Sequence, residues 1–127
     1  MKKVLAAVGV IVMMVVVSVL VVACGGSSGG GATVTVHTKG INFAQSSVTL
    51  SKGSSLTITD DDATPHVIKN GTWNNGTPQD LTEPGGPTVN VTLNGNDSQT
   101  VGPFNTAGTF QLYCSVHPGM NLTVTVQ

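Results

Sequence analysis

One cysteine, one histidine and one methionine lie within seven residues near the C-terminal end of the sequence. Cys114, His117 and Met120 are each separated by two residues. Soft sulfur ligands combined with imidazole favour copper, and one thiolate with two imidazoles and a weak axial thioether is typical of a copper site that transfers electrons. The spacing therefore predicts a metal site in this segment, with a second imidazole supplied by another part of the chain.

The second imidazole has two candidates, because the sequence has three histidines in all. His66 follows Pro65, whose ring fixes the backbone at the end of an acidic turn that leaves a predicted strand. A turn of this kind at one end of a β-sandwich can face residues 114–120. His37 lies two residues before Lys39 in the first predicted strand region, and we expect it at the surface or at a strand end. His66 is therefore the predicted partner.

Each of these residues alone has an ordinary structural explanation, since buried cysteines and core methionines are common. Together they are more informative, because Met120 is the only methionine after residue 14 and Cys114 is the only thiol after Cys24. If Cys24 serves another purpose, Cys114 has no disulfide partner, and an unpaired thiol in an oxidising compartment indicates chemistry that uses it. The predicted metal ligands are His66, Cys114, His117 and Met120.

The elements that would position these ligands are short β-strands. Polar and apolar residues alternate in runs rich in Val and Thr, bounded by Gly, Pro, Asn and Asp, and this pattern is typical of strands with one buried face. The runs are residues 33–36, 47–50, 55–58, 88–93, 109–113 and 122–126. No segment after Cys24 shows a sustained helical period. We expect an all-β fold, an antiparallel sandwich or barrel of one domain.

Residues 69–87 interrupt the strand pattern, because they are rich in Gly, Asn and Pro. This segment is predicted to be a long loop, within which a short strand or helical turn could form. Trp73, the only tryptophan, is expected to cap one end of the core, with exposure as a partner contact as the alternative.

The N-terminus has the composition of an export signal. Lys2 and Lys3 precede an apolar run over residues 4–23, and Cys24 and a Gly/Ser stretch follow. The end of that run, Leu20-Val21-Val22-Ala23-Cys24, resembles the lipobox of bacterial lipoproteins, in which the signal is cut before the cysteine and the cysteine carries lipid. An uncleaved transmembrane helix is the alternative.

The predicted organisation therefore has three parts. Residues 1–23 are a lipoprotein signal peptide, residues 24–31 are the lipidated Cys24 and a flexible linker, and residues 32–127 are the copper-binding domain. The protein is expected to be exported and lipid-anchored on the extracytoplasmic face of the bacterial cell membrane. After residue 23 the sequence has three lysines and six acidic residues, so it is net negative and nucleic acid is not expected as a partner.

At the ligand positions the sequence resembles a known family. Cys114-x-x-His117-x-x-Met120 with the upstream Pro65-His66 is similar to the cupredoxins, most of all to the amicyanin and plastocyanin types, and the resemblance runs from about residue 34 to residue 127. It implies a Greek-key β-sandwich that binds one type 1 copper ion through His66, Cys114, His117 and Met120. It also implies that electrons leave through His117, at an apolar surface patch.

Two positions depart from the pattern of that family. Val67 stands where many members have Asn or another polar residue that ties the two copper loops together. An acidic run, residues 60–62, stands where the family often has Asn. These carboxylates could lower the reduction potential or steer a basic partner, but a solvated acidic turn is the favoured interpretation.

The sequence thus predicts a type 1 (blue) copper protein that shuttles single electrons between membrane-associated redox partners, such as a cytochrome or a membrane electron-transfer complex. A monomer is expected. An enzyme is not, because a multicopper oxidase needs a His-Cys-His triplet and Cys114 is flanked by Tyr113 and Ser115. Copper storage or delivery without electron transfer would use much the same ligands and is the alternative. Zinc is disfavoured because a thioether is a poor zinc ligand.

Overall fold

The computed structural model describes residues 31–127, and the predictions made for residues 1–23, for Cys24 and for residues 25–30 lie outside this part of the chain. Residues 31–127 form β-strands joined by turns and contain no helix. The strands are β1 (Thr33–Lys39), β2 (Asn42–Phe43), β3 (Ser47–Leu50), β4 (Ser54–Asp60), β5 (His66–Asn74), β6 (Thr77–Asp80), β7 (Asn90–Leu93), β8 (Ser98–Phe104), β9 (Gly108–Cys114) and β10 (Asn121–Val126). The predicted all-β class is confirmed.

No helix in the described range has the length and apolar character needed to cross a membrane.

The strands form two sheets that pack into a sandwich. One sheet has the order β2-β1-β4-β8, and the other has the order β3-β10-β9-β5-β6, with β7 also paired to β5. Most pairs are antiparallel, but β1 pairs with β4 and β3 pairs with β10 in parallel. The prediction of an antiparallel sandwich was therefore wrong for these two pairs. The parallel pairs arise because the chain crosses to the opposite sheet between the paired strands, as a parallel connection requires.

The core lies between the sheets and follows the alternation in the sequence. Every second residue of β4 is buried, including Leu56 and Ile58, and Leu122 and Val124 of β10 are buried from the opposite sheet. Burying such a side chain fully contributes about 1.5–3 kcal/mol relative to leaving it exposed. Successive side chains in a strand point to opposite faces, so the Val/Thr alternation fixes which face of each strand joins the core.

The sandwich has two distinct ends. Thr33 pairs with Ser55 at one end of the parallel β1–β4 pair, and Thr38 pairs with Asp60 at the other. At a rise of about 3.3 Å per residue, β4 separates the two ends by roughly 20 Å. The described chain begins at the first end, where the Ser55 N–H donates to the Ala32 carbonyl (3.1 Å). The strand termini that carry the predicted ligands gather at the second end.

The predicted long loop over residues 69–87 is in large part a hairpin. β5 continues to Asn74 and pairs with β6 in antiparallel register. The connection is Asn75-Gly76, and both residues have positive φ (49° and 78°). A two-residue Asn-Gly connection of this kind matches the twist of a hairpin. Trp73 therefore lies in a strand, half-buried, and not in a loop.

Candidate metal centre

His66 is the first residue of β5 and is fully buried. It pairs with Leu93 of β7, and its relative exposure is 0%. The sequence placed it in a turn, whereas the strand begins at this residue directly after Pro65. Burial lowers the pKa of His66, outweighing the opposing effect of the nearby Asp60 carboxylate. The ring is therefore neutral near pH 7, which is the state in which imidazole binds a metal.

The second ligand segment is the tight connection between β9 and β10. Cys114 ends β9, and its N–H donates to the Met120 carbonyl (3.0 Å), while the Met120 N–H donates to the His117 carbonyl (3.2 Å). Gly119 has a φ of 80°, a conformation that glycine adopts without strain. These bonds fold the segment back on itself, so that the side chains of Cys114 and His117 meet.

The two ligand segments are joined to each other through the backbone. The Ser115 N–H donates to the Val67 carbonyl (2.8 Å), and Ile68 pairs with Cys114 in the β5–β9 register. The main chain of Val67 thus connects the two ligand segments here. The resemblance implied that a polar side chain at this position often makes that connection.

Three donor atoms converge where these segments meet. The Nδ1 atoms of His66 and His117 are 3.2 Å apart, and the Sγ atom of Cys114 lies 3.4 Å from the Nδ1 atom of His117. One ligand atom from each of the three residues lies within 4.8 Å of the others. Bonds of about 2.0 Å to nitrogen and 2.3 Å to sulfur, as observed for zinc, would let one ion contact donor atoms at such separations. The geometry therefore fits a single metal ion.

The chemistry of the donor set also fits copper. Cys114 is fully buried and has no disulfide partner within the described residues. A buried thiolate with two imidazoles is the set that suits a copper ion in a site for electron transfer. Met120, the predicted axial ligand, is 1% exposed and belongs to the hydrophobic core at the same end of the sandwich.

Only one of the three converging residues reaches the surface. His66 and Cys114 are buried, whereas His117 is partly exposed. Val116 beside it is 52% exposed, and Pro118 on its other side is exposed as well. His117 therefore lies between two exposed apolar residues of the chain.

His37 lies outside the donor set. It is in β1 with an exposed side chain, and its Nδ1 atom is 2.8 Å from Asp61 Oδ1. Asp62 accepts hydrogen bonds from the N–H groups of Gly40 (2.6 Å) and Thr64 (2.8 Å). The Gly40 bond is the largest cause that lowers the pKa of Asp62 to about 2. Asp62 thus fixes the turn that leads to β5.

The acidic run is the solvated turn that the sequence favoured only in part, because Asp61 is exposed and Asp62 is partly buried, whereas Asp60 is not solvated. Asp60 is the last residue of β4 and is buried, with only 3% exposure. Its Oδ1 atom accepts a hydrogen bond from the Thr38 hydroxyl (3.1 Å). Asp60 is buried because it continues the alternation of β4, on the same face as Leu56 and Ile58.

Trp73 is a further residue near the site that sequence reasoning did not assign to it. Its ring N–H donates to the Cys114 carbonyl (2.8 Å). Its backbone N–H donates to the Asn121 side-chain oxygen (2.8 Å), and the Asn121 amide donates back to the Trp73 carbonyl (3.1 Å). These bonds tie β5 to the start of β10. The separation of 41 residues between Trp73 and Cys114 leaves no local signal for the contact.

Tyr113, next to Cys114, is held by the β5–β6 hairpin. Its hydroxyl donates to the Asp80 carboxylate, which also accepts from Lys69 Nζ (2.6 Å). Burial, followed by the hydrogen bond to Asp80, raises the pKa of Tyr113 to about 12. The ring of Tyr113 also meets Trp73 edge to face, with centroids 6.1 Å apart. The hairpin therefore packs against the strand that carries Cys114.

Comparisons with known proteins agree with this geometry. The sequence matches the family of copper binding proteins described as plastocyanin/azurin over residues 31–127. The fold is similar to amicyanin from Paracoccus versutus, with a TM-score of 0.57 and 19% identity over 75% of this chain and 81% of that chain. It is also similar to a purple cupredoxin from Nitrosopumilus maritimus, with a TM-score of 0.56 and 25% identity over 76% and 99% of the two chains. A comparison with curated proteins gives no significant match.

The family match covers the whole described chain, and the fold match confirms the predicted cupredoxin type of sandwich. Cupredoxins are typically electron-transfer proteins and not enzymes. The cofactor that fits both the family and the His-Cys-His cluster, with Met120 in the same loop, is one type 1 copper ion. The chain belongs to the plastocyanin/azurin family of copper-binding proteins and is a cupredoxin.

Proposed function

We propose that this chain is a type 1 copper protein that shuttles single electrons between redox partners at a bacterial membrane. The observation that carries the proposal is the convergence of the Nδ1 atoms of His66 and His117 with the Sγ atom of Cys114. His66, Cys114, His117 and Met120 would hold the ion. Bound copper would supply a one-electron couple between Cu(II) and Cu(I).

The sandwich holds these side chains in place independently of the redox state. His66 is anchored by the β5–β7 and β5–β9 pairs, and the connection over residues 114–120 is closed by hydrogen bonds within its own backbone. A site on rigid strands keeps the same donor positions in both oxidation states, so little reorganisation accompanies gain or loss of an electron. Solved amicyanin structures include a reduced Cu(I) form and oxidized forms.

His117 is the proposed route for electrons, because it is the one residue of the converging His66, Cys114 and His117 that is partly exposed. The apolar rim at Val116 and Pro118 would let a partner approach closely and exclude water from the contact. The proposed partners are a cytochrome or a membrane electron-transfer complex. The proposed location is the extracytoplasmic face of the bacterial cell membrane, with a lipid on Cys24 as the anchor.

The test of the copper site is a titration of the full-length apoprotein with Cu(II), followed by visible absorption. We expect saturation at one equivalent and an intense visible band from thiolate-to-copper charge transfer, which a mild reductant bleaches. Cys114→Ser should remove the band because it removes the thiolate. The matched control is Ser115→Ala, in the same connection, which should keep it. Copper binding without an intense visible band would exclude a type 1 site.

A second measurement separates an electron carrier from a protein that stores or delivers copper. The reduced protein is mixed anaerobically with an oxidised cytochrome, and a copper chelator is present in a parallel experiment. A carrier should reduce the cytochrome rapidly while the copper stays bound. Slow electron exchange together with rapid copper loss to the chelator would instead support storage or delivery.

A further inference from the structure

A buried carboxylate lies behind the imidazole of His66. The Oδ1 atom of Asp60 is 3.8 Å from the Nε2 atom of His66, on the ring edge opposite the converging donor atoms, and both side chains have 0% exposure. The Nε2 atom of His66 and the Oδ2 atom of Asp60 are both buried without a hydrogen-bond partner. Buried polar atoms are nearly always paired, so these two require an explanation.

The structural contacts of Asp60 do not need its charge. Its Oδ1 atom accepts from the Thr38 hydroxyl (3.1 Å) and from the Asp62 N–H (3.3 Å). An asparagine oxygen could accept both of these bonds. Within residues 31–127, His66 is the only potentially cationic side chain within 4.0 Å of this carboxylate.

Buried polar atoms without partners are costly, so the carboxylate of Asp60 and the Nε2 atom of His66 are expected to pair with each other in the metal-bound protein. A metal ion bound at Nδ1 of His66 would draw electron density from the ring and strengthen Nε2–H as a donor. Histidines that bind metals commonly donate their other ring N–H to a carboxylate or carbonyl, which fixes the tautomer and the ring orientation. The present distance is longer than a hydrogen bond, and a shift of less than ~1 Å would close it.

We propose that Asp60 is a positioning residue for the copper site, which accepts the Nε2–H of His66 and so directs the Nδ1 lone pair toward Cys114 and His117. This inference rests on the proposed function, since it assumes that His66 binds copper. The negative charge of Asp60 stabilises the more highly charged ion, so it favours Cu(II) over Cu(I) and lowers the reduction potential of this site.

The test compares Asp60→Asn with Asp61→Asn at a fixed pH. Each variant removes one negative charge, but Asp61 is exposed and bonded to His37, so its charge is screened by solvent. For Asp60→Asn we expect the ratio of Cu(II) to Cu(I) affinity to fall about tenfold, which is about 59 mV for a one-electron couple. For Asp61→Asn we expect a change smaller than about twofold. Equal potentials in the two variants would overturn the role of Asp60.

A second measurement needs no variant and covers the case in which Asp60→Asn does not fold. In the full-length Cu(I) protein, which is diamagnetic, nitrogen–proton NMR should show a slowly exchanging proton on Nε2 of His66. Nuclear Overhauser contacts from this proton to Asp60 and Thr38 are expected. A ring whose Nε2 carries no proton in the Cu(I) protein would refute the proposal.

The two proposals fail in different ways. If the unaltered protein gives no thiolate-to-copper band, the proposed function fails and the role of Asp60 fails with it. If the band is present but Asp60→Asn leaves the potential unchanged, the copper site stands and only the role of Asp60 is wrong.

Discussion

The donor residues near the C-terminus were predictable because they are close in sequence. Cys114, His117 and Met120 lie in one connection, and their identities alone suggested the chemistry. His66 could be predicted as the remaining ligand because, apart from His117, the sequence has only one other histidine, His37. The burial of Asp60 continues the alternation of Leu56 and Ile58, but the composition of three successive aspartates favoured an exposed turn. The contact with Thr38 could not be predicted, because it depends on the parallel pairing of β1 with β4.

The role proposed for Met120 gives a first prediction. Met120→Leu keeps the size and apolar character of a buried side chain but removes the thioether. We expect copper to remain bound and the reduction potential to rise by roughly 59 mV, one tenfold step in relative affinity, since the axial ligand tunes the potential. Redox titration of the visible band measures this. An unchanged potential would count against Met120 as a ligand.

Asp62 gives a second prediction, on the stability of the apoprotein at acid pH. Its folded-state pKa of about 2 lies below the ordinary value of 3.8, so its contribution is present above about pH 4 and is lost as the pH falls toward 2. Asp62→Asn should lower the urea midpoint at pH 7 and flatten its decline between pH 4 and pH 2. Parallel curves for the two proteins would contradict this.

At the scale of elements, six strands with a clear Val/Thr alternation were predictable, whereas β2, β5, β6 and β8 were not. All four residues of β6 are exposed, so no apolar alternation marks them, and Pro78 within β6 argued against a strand. The available signal was Asn75-Gly76, a turn sequence typical of hairpins. This hairpin holds Trp73 against the Cys114 carbonyl and Asp80 against the Tyr113 hydroxyl.

Two glycines of this hairpin give a third prediction. Both have positive φ, 130° at Gly71 and 78° at Gly76, but an added Cβ at Gly71 would lie 2.0 Å from the Gln79 carbonyl oxygen, whereas at Gly76 it would meet nothing within 4 Å. Gly76→Ala should cost about 1–2 kcal/mol of unfolding free energy from backbone strain alone. Gly71→Ala should cost about 1–3 kcal/mol more, because the two strands must separate.

Urea unfolding of both variants tests this difference. Hydrogen exchange should also show faster opening of β6 in Gly71→Ala than in Gly76→Ala. Equal stability of the two variants would mean that the hairpin accommodates the methyl group at Gly71, and that its register is less rigid than the contacts indicate.

At the scale of the whole molecule, the class and the sandwich were predictable because the alternating pattern recurs along the chain. The parallel pairs were not predictable, since alternation shows which face of a strand is buried but not which strand lies beside it. β1 and β4 are separated in sequence by two other strands, one of them in the opposite sheet. Only the packed structure reveals that they are neighbours.

The predicted anchor gives a fourth prediction, for the full chain produced in a bacterium. Radiolabelled palmitate should be incorporated into the protein, and its mass should lack residues 1–23, because the mature protein is proposed to begin at a lipid-bearing Cys24. Cys24→Ser should abolish the label. Cys114→Ser is the matched control and should keep it. An unlabelled protein that retains residues 1–23 would indicate an uncleaved membrane helix instead.

The position of residue 31 in the sandwich determines which end of a membrane-tethered domain would lie near the membrane. The first strand enters the sandwich at the end away from His117, roughly 20 Å from it along the strands. A lipid on Cys24, followed by a seven-residue linker that spans ~15 Å on average, would therefore hold the end of the sandwich near Thr33 close to the bilayer. The opposite end, where His117 is exposed, would point away from the membrane. Partners that diffuse in the aqueous compartment could then contact His117 directly. A partner embedded in the same bilayer would need a domain that projects above the membrane surface, or the tethered domain would have to rotate toward the membrane.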